Sequence, residues 1–124
     1  ASINQILGFI LVVSGLVFLK VYPSIIQRIN TNKEGEKLII APEGRIDSVT
    51  APEFAKAVED NLDGVKDLVI DFGKLDYISS AGLRVLLSTQ KTMSKIGSMK
   101  LINVGEVIMD VLNITGFVDI LTIE

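Results

Sequence analysis

Residues 67–97 read DLVIDFGKLDYISSAGLRVLLSTQKTMSKIG, and the fold is decided in this stretch. Asp67 to Phe72 is rich in β-branched and aromatic side chains with a continuous apolar centre, the pattern of a strand covered on both faces. A loop is expected from Gly73 to Ile78. Ser79-Ser80-Ala81-Gly82 then opens a helix whose Leu83, Leu86, Leu87 and Met93 form an inward stripe, and Gly97 marks its end. A buried strand followed by an amphipathic helix is the repeating unit of α/β sheets.

The same alternation extends both ways. Upstream, Leu38-Ile39-Ile40-Ala41 is a short apolar strand expected to stop at Pro42 to Gly44, with Arg45-Ile46-Asp47 as its exit. Thr50-Ala51-Pro52-Glu53 reads as a capping box with Pro inside the first turn, and Phe54, Ala55, Val58 and Leu62 recur at helical spacing. A helix is therefore predicted from Ala51 to about Leu62, closed by Asp63-Gly64. Further upstream, Ser24 to Asn30 is β-prone and Asn30 to Glu36 is polar enough for a turn. Downstream, Lys100 to Val104 reads as a strand, Glu106 to Thr115 as a helix ending at Gly116, and Ile120 to Ile123 as a final strand. Strands alternating with helices make the class α/β, with parallel right-handed connections expected.

The chain has 124 residues, 48% hydrophobic and 22% charged, enough for one compact domain with little left over. It contains no Cys, His or Trp, which excludes a disulfide framework, a thiol nucleophile, an imidazole zinc site and a Ser-His-Asp triad. The carboxylates are dispersed, and neither a DxDxDG metal loop nor a GxxxxGK[ST] phosphate loop occurs. No metal, no cofactor and no enzymatic activity are expected. A formal charge of -3 and a pI near 4.9 argue against a nucleic-acid binder, which needs a basic face.

The average hides a split. Residues 1–29 carry Lys20 and Arg28 and no acid, whereas residues 30–124 hold all fifteen acids and a net charge of -5. From Ile6 to Leu19 the chain reads ILGFILVVSGLVFL. Ile3 to Tyr22 would form a helix about 30 Å long, roughly one hydrocarbon thickness. Pro23 is expected to end or kink it. Three readings stand: a membrane anchor, an oligomerisation helix buried among copies, or a segment fused to the domain. The basic residues all follow the apolar run, so an anchored chain would keep residues 30–124 on the cytoplasmic side.

The stretch from about Glu36 to Glu124 resembles a STAS domain of the anti-sigma factor antagonist type. The most specific match is Leu75-Asp76-Tyr77-Ile78-Ser79-Ser80-Ala81-Gly82-Leu83-Arg84, similar to the family's hydrophobic-Asp/Ser-Ser-x-Gly-Leu switch loop. Gly44-Arg45-Ile46-Asp47, the DLVIDF strand and Leu101-Ile102-Asn103-Val104 add to it. The resemblance implies a small, mostly parallel or mixed sheet packed against helices over residues 30–124. It also implies a non-enzymatic regulator that binds an anti-sigma factor with serine-kinase activity and so releases a sigma factor. The serine opening the second helix is the family's phosphoacceptor, which by position is Ser80; Ser79 stands where well-known members have Asp and is the alternative. STAS domains also serve as regulatory or assembly parts of membrane transport systems, which is the second functional reading; a self-assembling fusion is the third.

Elementary physics supports a switch at this position. A serine at a helix start can cap free amides, and a phosphate there meets the same amides and the positive end of the helix dipole. The added charge of about -1.5 to -2 would turn away an acidic or tightly packed partner. The plainer reading is that Ser79 and Ser80 are only caps and that Gly82 merely permits close packing. The same helix start could also take a small phosphate-bearing ligand. Asp47 either orients Ser80 or contacts the partner, or else makes an Asx turn or an entry cap near the first helix. Asp76 is expected as a loop acid near the switch, Tyr77 as a half-buried packing residue, and Arg84 either attracts phosphate or an acidic partner or lies on a solvated helix face. The residues singled out for partner binding are thus Asp47, Asp76, Ser79, Gly82 and Arg84.

Overall fold

A computed structural model of the chain describes residues 28–124. The elements follow in the order β1 (Arg28–Glu34), β2 (Lys37–Ile46), α1 (Ala51–Asn61), β3 (Asp67–Asp71), β4 (Leu75–Ile78), α2 (Ser80–Ile96), β5 (Ser98–Ile102) and α3 (Glu106–Thr115). A short 3-10 turn, Phe117–Asp119, precedes the C-terminus. The hydrophobic helix expected before the domain lies outside the described residues, apart from Arg28 and Ile29, which belong to β1 rather than to that segment. Among the described residues, no helix is long and apolar enough to cross a membrane.

The sheet is mixed, in the order β1-β2-β3-β5, with β4 added along the far half of β2. Only the β1–β2 pair is antiparallel; β2–β3, β3–β5 and β2–β4 are parallel. Across the parallel strands, Leu38, Leu68 and Met99 stand in register, and Ile40, Ile70 and Leu101 form the next row. All six are buried. Against this face pack Phe54 and Val58 of α1, Leu83, Leu86 and Met93 of α2, and Ile108 and Leu112 of α3, each set at helical spacing.

Five local expectations are corrected. The predicted turn over residues 30–36 is strand up to Glu34. Only Gly35 and Glu36 turn, with Gly35 at φ +60°, a left-handed conformation that costs glycine nothing sterically. β2 does not stop at Pro42. Its pairing with β3 ends at Ile40 and its pairing with β4 starts at Gly44, so no strand on that edge needs the amide proline lacks. The register slips between Gly44 and Arg45, where Gly44 takes φ +82°, and the strand resumes with Ile46 buried.

The remaining three concern the ends of elements. The loop expected over 73–78 is largely β4, hidden from a period-two reading because Leu75 and Ile78 are buried while Asp76 and Tyr77 between them are exposed. β5 begins at Ser98, directly after the helix. The final strand shrinks to a bridge between Ile123 and Leu101, because Gly116 at φ +79° and the 3-10 turn use up the preceding residues. A further detail differs at α1: Thr50 is its N-cap, but its side chain makes no cap bond.

Candidate functional site

The site is assembled where β2 and β4, lying parallel, reach their C-terminal ends. Ile46 pairs with Ile78, and the Ser79 amide donates to the Ile46 carbonyl at 2.7 Å. Asp47 and Ser79, distant in sequence, therefore leave adjacent strands side by side. Both α1 and α2 start there, so two helix N-termini open on the same edge, the end of a parallel sheet where α/β domains commonly place binding groups.

The two serines have different environments. Ser79 is the N-cap of α2 in an extended conformation; its hydroxyl accepts from the Gly82 amide at 3.4 Å and its carbonyl from the Leu83 amide at 2.9 Å. Ser80 is the first helical residue, and it is exposed while Ser79 is partly buried. Gly82 fits against the strand ends: a β-carbon there would lie 2.6 Å from Ile46 Cγ2 and 2.7 Å from Ile78 Cγ1. The packing reading of Gly82 is therefore the one its surroundings support.

Asp47 makes an Asx turn. Its Oδ1 accepts from the Val49 amide at 2.9 Å and the Thr50 amide at 3.0 Å. The buried Thr50 hydroxyl accepts from the Asp47 amide at 2.8 Å and donates to the Arg45 carbonyl at 2.9 Å, tying the strand exit to the helix entry. These amide donors, first Thr50 and then Val49, hold the Asp47 carboxyl below the usual aspartate range, aided by the Thr50 hydroxyl and the Arg45 guanidinium. Its Oδ2 lies 3.7 Å from Arg45 Nε. Asp47 therefore shapes the edge beside the start of α2, and none of its hydrogen bonds goes to Ser80.

Asp76 and Tyr77 are both exposed on β4, Tyr77 at 38% of its surface. The Arg45 guanidinium sits 4.4 Å from the Tyr77 ring centroid, a cation-π contact made possible by the Arg45–Tyr77 register of β2 and β4. Sequence reasoning missed this pair because it read β4 as a loop; Arg45 becomes a candidate only once the two strands are paired. Arg84 is exposed one turn into α2 and lines a groove of about 210 Å³ between α1 and α2, with Glu59 and Ser88. Asp47, Ser79, Ser80 and Gly82 thus converge on one edge, Asp76 flanks it on β4, and Arg84 sits a turn along the helix. Among the described residues, no group of three carboxylates is placed to hold a metal ion.

A mixed sheet with three helices, and a serine-capped helix start between two parallel strand ends, define an α/β domain built to present a loop and two helix N-termini on one edge. The family model of the STAS domain matches residues 27–124, and the chain belongs to that family. It is 33% identical over 95 residues to BtrV of Bordetella bronchiseptica, named as a candidate anti-sigma factor antagonist, covering 75% of this chain and 82% of that protein. The crystal structure of an anti-sigma factor antagonist from Mycobacterium paratuberculosis superposes with a TM-score of 0.73 at 22% identity, over 80% of this chain and 86% of that one. The phosphorylated form of the Bacillus cell fate determinant SpoIIAA gives 0.63 at 15% identity, over 78% and 91%. At these identities the structural likeness is one of fold.

Proposed function

We propose that the chain is an anti-sigma factor antagonist switched by phosphorylation of Ser80. Unmodified, it engages an anti-sigma factor with serine-kinase activity through the edge formed by Asp47, Asp76, Ser79, Ser80 and Arg84, and so releases a sigma factor. It acts by binding, not by catalysis. The observation that carries the reading is the division between neighbouring serines: Ser79 caps the helix, while Ser80 is exposed at the first helical position. The relationship to BtrV and the fold shared with a protein solved in a phosphorylated form support it.

A phosphate on Ser80 Oγ would meet the positive end of α2, an interaction worth about 0.3–1 kcal/mol at an exposed helix end. The fold would tolerate the modification, while a partner packed against the same edge would face an added charge of about -1.5 to -2 and its desolvation. The test is incubation with candidate anti-sigma kinases and ATP, followed by mass-spectrometric mapping. Phosphate on Ser80, abolished by Ser80→Ala, is expected, together with weakened complex formation by Ser80→Asp. Phosphate on another residue, with Ser80→Ala labelled as well as the wild type, defeats the assignment.

A further inference from the structure

Apart from Val49 and Tyr77 near the Asp47–Ser79 edge and Ile96 at the end of α2, the large exposed apolar side chains of the described residues lie on α3 and the turn after it. Val107 is 62% exposed and Ile114 85%, and the turn after α3 adds the exposed Val118 and Ile120. Within α3, Val107, Val111 and Ile114 fall at i, i+4 and i+7 and so share one stripe, with Val111 reaching down to the core. A stripe turned to water on an otherwise amphipathic helix marks an interaction surface more often than a lone exposed side chain does.

The charge carried by this segment of the chain is of one sign. No Lys or Arg occurs from Leu101 to Glu124, whereas Glu106, Asp110, Asp119 and Glu124 do. The cation Lys100 is engaged, 3.4 Å from Glu124. Glu106 and Asp110 stand exposed on the α3 flank adjoining the stripe. Two copies meeting symmetrically through this face would bring like carboxylates together, and an anionic bilayer would be repelled. An apolar helix edged with Lys or Arg matches both features, the stripe by burial and the rim by charge.

We propose that α3 is a docking face for an amphipathic helix of a partner protein whose apolar side is edged with basic residues. This goes beyond the phosphorylation switch, since negative charge added at Ser80 would not repel a basic partner. The probe is a fluorescein-labelled synthetic helix of about 14 residues with a Leu stripe flanked by Lys, titrated with the full chain; the same helix with Glu for Lys is the control. The Lys helix is expected to bind, and the Glu helix to bind at least about tenfold more weakly. Ile114→Ser should weaken binding about five- to tenfold by removing an apolar anchor. Glu106→Gln with Asp110→Asn should remove most of the loss in affinity between about 0.1 and about 0.5 M salt. Equal binding of the two helices overturns the proposal, as does no binding of either. So does an Ile114→Ser variant that melts like the wild type and binds the Lys helix as well. Sedimentation showing a wild-type dimer that Ile114→Ser dissociates assigns the face to a second copy instead.

Discussion

Replacing Gly82 by Ala tests whether the strand ends and the start of α2 are packed as tightly as described. The added β-carbon meets Ile46 Cγ2 at 2.6 Å and Ile78 Cγ1 at 2.7 Å, both inside any distance real side chains maintain. Neither atom is the free tip of a long side chain. Ile46 Cγ2 is fixed to a β-branch and Ile78 Cγ1 lies mid-chain, and both residues are buried, so relief requires a rotamer change or a shift of the helix. Overpacking of this kind costs about 1–3 kcal/mol. Alanine returns up to about 1 kcal/mol of helix propensity, less in a first turn. The balance is a loss of about 1–2 kcal/mol, which in a domain of this size lowers Tm by roughly 5–15 °C.

Thermal unfolding followed by circular dichroism, with urea midpoints as a second measure, reads this directly. Gly97→Ala is the internal standard. A β-carbon at Gly97 would overlap the Lys66 carbonyl oxygen. That oxygen also accepts from the Ser98 amide at 2.8 Å, so backbone pinned by a hydrogen bond must move. Gly97→Ala should therefore cost more than Gly82→Ala. A Gly82→Ala protein as stable as the wild type would refute the argument, because it would mean that propensity outweighs the clash and that the Ile46–Ile78 wall yields freely.

Two further outcomes follow from the hydrogen bonding of the edge. Asp47 has a lowered carboxyl pKa, so its contribution to stability is complete above the unfolded-chain value of about 3.9 and is lost as pH falls through the lower folded value. The gap in urea midpoint between wild type and Asp47→Ala should narrow on acidification through that window, with Asp47→Asn, which keeps an acceptor oxygen, closer to wild type; a gap unchanged down to the acid limit contradicts the Asx-turn account. Ser79→Ala should cost about 0.5 kcal/mol, at the low end for a cap because the bond to the Gly82 amide is long, whereas Ser80→Ala should stay within about 0.5 kcal/mol of zero. Calorimetric melting separates them, and a larger loss from Ser80→Ala would reverse the roles given to the two serines.

Most of the fold was legible because burial and periodicity coincide. The DLVIDF strand, the stripes of the three helices and the glycine after α2 are each local statements about which side chains face the core. Strand ends were less legible, since they depend on pairing partners that periodicity does not name. Pro42 looked like a stop and is not one, because the neighbouring edge is unpaired where it lies. β4 looked like a loop, because four residues with a buried–exposed–exposed–buried pattern carry no alternation. The site inherits this division. Ser79, Ser80 and Gly82 lie within four residues of one another and could be singled out from the chain alone, whereas the Arg45–Tyr77 contact and the nearness of Asp47 exist only through the parallel β2–β4 pairing.

On the proposed reading, the geometry at these strand ends also keeps capping and signalling apart. If one serine carried both tasks, phosphorylating it would put a bulky dianion in place of the partly buried hydroxyl that caps the helix and would charge the strand end beneath it. Here the cap bond belongs to Ser79, whose amide is tied to the Ile46 carbonyl and whose oxygen faces Gly82. Ser80 lies one residue outward, where the helix turns toward solvent. Gly82 lets the first turn sit close against the strand ends, since a larger residue would press on Ile46 and Ile78 and strain the turn that holds the cap. On the proposed reading, a phosphate on Ser80 would therefore change the charge of the edge and leave its hydrogen bonds in place. The effect of modification should then appear chiefly in partner affinity, with the melting temperature raised by no more than about 8 °C, since the helix-end interaction is worth at most about 1 kcal/mol.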